Sequence, residues 1–223
     1  MIVTIDGPAG SGKSTIARKL AAQLDVPYLD TGAMYRALAY AALESGVPFE
    51  DDAALLSYAR TADLQVDCGP THTRVRIQGR DVSELIRTMR VSSVTSLVAR
   101  HPAIRELLVG IQRRIGSELG SFIAEGRDQG SVVFPAADAK FVLEASVDAR
   151  AQRRFDELRA DGQDVSLAGV KENLRARDAI DSIQWEPLLS DERATVIDTT
   201  NLTIQAVVDR LIQLLGRRDA KPL

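Results

Sequence analysis

The sequence predicts an α/β fold in which a parallel sheet is flanked by helices, and three observations carry that reading. Short apolar or β-branched runs alternate with segments whose apolar residues recur at helical spacing, as in strands joined by crossover helices. Two of the runs, Phe122-Ile123-Ala124-Glu125 and Phe141-Val142-Leu143-Glu144, are compact and apolar, the kind found in strands buried on both faces. A glycine-rich turn separates the first run from the first helical pattern.

In chain order, Met1 to Asp6 reads as a strand ending in Gly7-Pro8, and Ile16, Ala17, Leu20 and Leu24 mark the helix after the turn. Val26 to Asp30 reads as a second short strand, with Pro27 at its start, and Met34, Leu38 and Ala42 mark a second helix. A short helical stretch falls around Ala53 to Ala59. Leu64 to Asp67 and Val75 to Gln78 then alternate at period two on either side of Cys68-Gly69-Pro70-Thr71, which signals a hairpin inserted between helices. Helical patterns resume from Arg90 to Leu119, broken at His101-Pro102. After the two apolar strands, Arg150, Arg153, Arg154 and Arg159 fall on one predicted helix and Arg175 and Arg177 on the next. Thr195 to Asp198 is a last strand, Ile204 to Leu215 a last amphipathic helix, and Arg217 to Leu223 a frayed tail.

A length of 223 residues suits one large α/β domain with small appended lobes. The formal net charge of −3 argues against a nucleic-acid partner, which calls for a basic surface. The single cysteine, Cys68, excludes an intramolecular disulfide and suits a reducing, cytoplasmic setting. No apolar run approaches the roughly 20 residues that span a bilayer, and the N-terminal segment reads as a strand and not as a signal peptide.

Gly7-Pro8-Ala9-Gly10-Ser11-Gly12-Lys13-Ser14 fits G-x-x-x-x-G-K-[ST] at every position, between a predicted strand and a predicted helix. The glycines let backbone N–H groups converge on phosphate oxygens, and the following helix presents its positive end to the same anion. Lys13 supplies a mobile charge for the β and γ phosphates, and Ser14 a hydroxyl for Mg²⁺. The motif specifies a nucleoside triphosphate donor but not a reaction. A kinase and a nucleotide-gated switch both remain. A guanine-reading N-K-x-D segment is missing, and arginines are dense in the second half of the chain, which favours the kinase. Asp30-Thr31-Gly32-Ala33-Met34-Tyr35-Arg36 follows the second strand, with Thr31 and Gly32 read as a helix cap and Arg36 one turn in.

Five segments together resemble bacterial cytidylate kinases, P-loop nucleoside monophosphate (NMP) kinases, in order over essentially the whole chain. They are Gly7 to Thr15, Leu29 to Arg36, Glu125 to Pro135, Arg177 to Ser182 and Ile197 to Ile204. The hairpin after Leu64 resembles that family's extra lobe. The resemblance implies a core over residues 1–35, 92–150 and 179–223. It also implies an NMP-binding lobe over 36–91 with a β insert at about 62–86, and a helical lid at about 151–178. It implies that ATP, held by Gly7 to Thr15 with Arg154, donates its γ-phosphoryl group to CMP or dCMP in a monomeric enzyme. Thr31 stands near the acceptor, and Arg36 and Arg127 grip its phosphate. Ser96, Arg105 and Asp128 surround the cytosine, and Arg177 and Asp181 lie at the ribose and phosphate. Arg153 and Arg154 begin the lid. Lys13, Arg127, Arg153 and Arg177 are the catalytic set.

A carboxylate at Asp128 suits cytosine, whose C4 amino group donates where uracil presents an acceptor. Two positions depart from the family pattern. Gln184 occupies the place of an arginine, which leaves one acceptor contact open, and Gln129 replaces a common hydrophobic residue beside the site and outside it. Cys68, His72 and His101 have no constellation around them for covalent catalysis, so direct in-line transfer is the expected mechanism. The alternatives are a P-loop kinase with a sugar or shikimate-like acceptor and a non-catalytic switch.

Overall fold

The computed structural model describes residues 1–219. The chain runs β1 (Ile2–Asp6), α1 (Lys13–Leu24), β2 (Tyr28–Asp30), α2 (Thr31–Glu44), α3 (Asp52–Thr61), β3 (Leu64–Cys68), β4 (Thr73–Ile77) and β5 (Arg80–Asp81). It continues through α4 (Met89–Ala99), α5 (Pro102–Leu119), β6 (Phe122–Glu125), β7 (Ala139–Glu144), α6 (Val147–Ala160), α7 (Leu167–Trp185), β8 (Ala194–Asp198) and α8 (Ile204–Asp219). β1, β2, β6, β7 and β8 form one parallel sheet in the order β2-β6-β1-β7-β8.

Side-chain alternation along each central strand feeds two cores. Val3 and Ile5 of β1, Ile123 of β6 and Phe141 of β7 join Ile16 and Leu20 of α1 and Val208 and Leu211 of α8 on one face. Phe122 and Ala124 of β6 turn the other way, toward α2, α4 and α5. There Phe122 packs edge-on against Phe134, ring centroids 5.0 Å apart. A third, separate cluster joins α6 and α7 through Leu158, Val170 and Leu174, and its one contact with the phosphate-loop segment is Ala9.

The hairpin lies in its own antiparallel sheet, β3-β4-β5. It is tied to the main sheet through Thr73, whose hydroxyl donates to Tyr28 O at 2.6 Å and accepts from Asp30 N at 3.0 Å. Two expectations are corrected and one element is added. The second strand starts at Tyr28 and not at Val26, since Pro27 lacks the N–H a strand would use. A two-residue third strand follows the hairpin, too short to leave a period-two pattern. The last helix continues past Leu215 to Asp219, so the expected tail is helical at its start; residues 220–223 lie outside the described residues.

Candidate active site

In a parallel sheet every strand ends on the same edge, and ligand sites form where loops leave that edge. Here β6 lies between β1 and β2, and Glu125 at its end is in register with Ile5 of β1 and Asp30 of β2. The turn after β1, the start of α2 and the Gly126-Arg127-Asp128 turn therefore meet in one cleft of about 970 Å³. That volume is at the upper end for small-molecule sites.

On the donor side, α1 begins at Gly12 with φ 89°, no side-chain cap and no acidic residue in its first turn, which leaves its N–H groups to an anion. Most other helices are capped by a side chain, from Asp30, Asp51, Thr88, Ser146 and Ser166. Gly7 has φ 137°, and a Cβ there would stand 2.2 Å from Leu143 O, so only glycine fits. Ala9, Gly10, Gly12, Lys13, Ser14 and Thr15 line the cleft. Gly7, Pro8 and Ser11 stand behind that surface and shape the loop. Lys13 Nζ donates to Pro8 O at 2.7 Å. Burial pushes the Lys13 ammonium down to about 7, helped by Arg127 and Arg177 and opposed by Glu125 and Asp6.

Glu125 escaped the sequence reading. Its Oε1 accepts from Ser14 Oγ at 2.6 Å and Tyr28 Oη at 2.9 Å, and burial, with Asp30 beside it, raises its pKa. No local signal marks it, because its proximity to Ser14 comes from strand order. Asp30 was also missed. It, and not Thr31, is the N-cap of α2: its Oδ1 accepts from Ala33 N at 2.8 Å, an anionic cap at the positive helix end. Its Oδ2 accepts from Arg36 at 2.8 Å. Thr31 is instead the first helical residue, and its hydroxyl donates to Glu125 O at 2.6 Å.

On the acceptor side, Asp128 is buried and pairs with Arg105 from α5, not with its neighbour Arg127. Arg127 Nε donates to Asp181 Oδ2 at 3.2 Å. Asp181 lies deep within α7, so a capping role is excluded. Arg36, Ser96, Arg154, Arg177 and Gln184 all line the cleft as well. Burial, then Arg127, lowers the Arg177 guanidinium to about 10, and Arg36 and Arg154 add to the same repulsion. So many cations turned on one space make an anion site.

Two arginines differ from expectation. The Arg153 guanidinium turns away from the cleft to Thr199, donating to its Oγ1 at 3.2 Å and to its carbonyl. Arg150 is buried, donating to Ala9 O at 3.0 Å and in a fork to Asp178 at 3.1 and 2.6 Å. It fastens α6 to the phosphate loop and to α7. His101 caps α5 as a boundary residue and also meets Asp52 at 3.0 Å. His72 lies 3.5 Å from Asp67, and burial pushes the Cys68 thiol up to about 12, which leaves it inert as a nucleophile.

A family model described as cytidylate kinase matches residues 3–217. The chain belongs to the cytidylate kinase family. It is 42% identical over 217 residues to the cytidylate kinase of Geobacillus kaustophilus (strain HTA426), covering 97% of this chain and 96% of that protein. It is 44% identical over 213 residues to the cytidylate kinase of Exiguobacterium sibiricum (strain DSM 17290 / CCUG 55495 / CIP 109462 / JCM 13490 / 255-15), covering 95% of each. Among solved structures, shikimate kinase from Bacteroides thetaiotaomicron aligns over 97% of this chain and 98% of that one, at TM-score 0.50 and 12% identity, a likeness of fold alone. Membership supports the kinase reading over the switch and over the sugar or shikimate-like acceptor. Among the described residues, no helix is long and apolar enough to cross a membrane.

Proposed function

We propose that this cytidylate kinase family member transfers the γ-phosphoryl group of ATP to CMP and dCMP, reading the acceptor base through Asp128. One observation carries the proposal. Lys13 and the Asp128–Arg105 pair face the same cleft, so a triphosphate on the P-loop and a cytosine on Asp128 point their phosphates at each other. Arg36, Arg127 and Arg177 line the same cleft, and Arg127 and Arg177 are close enough to Lys13 to lower its pKa. Their guanidinium forks match phosphate oxygens two at a time and offset the charge repulsion of bringing the chains into line.

Lys13 neutralises the β and γ phosphates. Asp181 holds Arg127 by an ion pair and lines the cleft, where it would accept from a ribose hydroxyl. Ser96 and Gln184 offer neutral polar contacts to the acceptor. The sheet-edge loops remain fixed, residues 36–91 act as the acceptor lobe, and about 151–178 act as the lid. The separate α6–α7 cluster and the place of Arg154 on the cleft wall support that division. Closure excludes water as a competing acceptor. Arg153, directed at Thr199, acts through the lid's attachment and not on phosphate in this geometry.

The residues fit Mg²⁺. Ser14 Oγ lies 2.6 Å from Glu125 Oε1, with the Asp30 carboxylate nearby, an all-oxygen donor set that suits a hard cation bound chiefly through phosphates and water. Ser14, with Glu125 beside it, would hold Mg²⁺ together with ATP, and the ion would supply charge neutralisation for the transferring group. The test is a coupled ADP-release assay over a panel of nucleoside monophosphates, shikimate and small alcohols. CMP and dCMP should lead by kcat/KM. A purine monophosphate, shikimate or an alcohol in first place, or ADP release independent of acceptor, would sink the proposal.

A further inference from the structure

Gln129 is the departure from the family pattern that the sequence places outside the site, and the structure gives it contacts that such a position does not need. It is 1% exposed and opens a single π-turn over Gln129–Val133. Its backbone N donates to Asp6 Oδ1 at 2.9 Å, and the next N–H, of Gly130, donates to Asp6 Oδ2 at 2.9 Å. Asp6 ends β1, the strand that feeds the P-loop, and is itself fully buried. Both oxygens of that carboxylate are spent on fixing where residue 129 begins.

The side chain then folds back over Gly126. A Cβ on Gly126 would stand 2.8 Å from Gln129 Nε2 and 2.6 Å from Thr31 Oγ1, so the absence of a side chain at residue 126 is what admits the amide. Gln129 Nε2 lies 3.2 Å from Gln112 Oε1 of α5 and 3.3 Å from Asp128 Oδ1. The orientation of the amide follows from chemistry. A carboxylate accepts and cannot donate, so the group facing Asp128 is the NH₂, and the oxygen facing that NH₂ is Gln112's. The two oxygens of Asp128 therefore have separate holders, Arg105 on Oδ2 and Gln129 on Oδ1.

We propose that Gln129 is a positioning residue for base selectivity: its amide, anchored on Gln112, holds the Asp128 carboxylate in the orientation that accepts the cytosine amino group. The inference rests on the reading of Asp128 given above. With one holder, the carboxylate can pivot about its Cβ–Cγ bond while keeping Arg105. With two it cannot, so the carboxylate keeps presenting an acceptor where cytosine donates and uracil does not. The local packing supports a functional origin. Gln129 Oε1 is buried without a hydrogen-bond partner, while the Gln112 amide that anchors its Nε2 also meets the Tyr35 hydroxyl. A core selected only for stability would place apolar side chains at 112 and 129.

The experiment is steady-state kinetics with CMP and with UMP at saturating ATP, on the wild type, Gln129→Met, Asp128→Ala and the double variant. Methionine keeps the shape and removes the donor. Gln129→Met should raise KM for CMP by about three- to tenfold, the scale of one modest hydrogen bond, with KM for UMP, KM for ATP and kcat within about twofold. The CMP-over-UMP preference shrinks accordingly. In the Asp128→Ala background, adding Gln129→Met should leave that preference unchanged, because the group it positions is gone. A loss equal for CMP and UMP, or a further change of preference in the Asp128→Ala background, would overturn the inference. Should Gln129→Met fail to fold, Gln112→Met removes only the anchor and should shift the preference in the same direction, and an unshifted preference overturns the inference there too. If Asp128→Ala narrows the preference and Gln129→Met does not, only the positioning role is lost. If neither narrows it, the base-reading role of Asp128 falls with it.

Discussion

Lys13 answers two opposed demands. It must sit where the phosphates will lie, which is a buried position, and burial there disfavours its charge. With its ammonium lowered to about 7, the free protein holds Lys13 largely neutral at pH 8. The unfolded chain keeps that proton up to about 10.4, so this residue makes the free fold gain stability as pH rises from about 7 toward that value. A triphosphate laid against Lys13 restores the charged form. At pH 8, where the triphosphate itself is fully ionised, ATP binding should take up close to one proton, and at pH 6, where Lys13 is already charged, the Lys13 contribution vanishes. Calorimetric binding enthalpies in two buffers of different ionisation enthalpy measure this uptake. A buffer-independent enthalpy at pH 8, or an uptake that survives Lys13→Met, removes Lys13 as the group involved.

Legibility at this scale depended on how far a residue's role is settled by its neighbours in sequence. The P-loop residues were legible because their motif is local and stands between a strand and a helix. Asp128 and Arg105 were singled out only by resemblance, and their separation of 23 positions hid the ion pair between them. Glu125 left no signal because its contact with Ser14 spans 111 residues and exists only once β6 lies beside β1. Gln129 stands beside the cleft and outside its lining, and its fold-back over Gly126 left no signal because no periodicity announces a π-turn.

Among the elements, β6 and the α6–α7 pair divide the work. β6 is the fixed partition: it is hydrogen-bonded on both edges, to β1 and β2, and buried along its length. The α6–α7 pair has its own small core and meets the P-loop through Ala9 and Arg150. Like charges from Arg150 to Arg177 would on their own keep this whole stretch mobile until phosphates arrive. The structure narrows that idea. Arg150 is neutralised by Asp178 at the root, Arg154 pairs with Glu157, and Lys171 pairs with Asp148, while Arg177 remains among cations on the cleft. Hydrogen exchange should therefore show slowed amides over 154–178 when ATP and CMP analogues are both bound. The first turn of α6 through Arg150 should exchange alike in free and doubly liganded protein. Equal protection of 154–178 in both states would make the pair a rigid strut and not a lid.

For the molecule as a whole, the strand order β2-β6-β1 turns two binding problems into one cleft. The P-loop leaves β1, α2 leaves β2, and the Gly126-Arg127-Asp128 turn leaves the strand between them. That cleft gathers Lys13, Arg36, Arg127, Arg154 and Arg177 in its lining. The most direct test is equilibrium competition by a bisubstrate compound that joins adenosine to cytidine through an oligophosphate chain. Two sites in one cleft predict that it binds more tightly than either ATP or CMP and displaces both, because the second half binds without a second loss of translational freedom. A compound that displaces only one nucleotide, or binds no better than ATP, would contradict the single-cleft account.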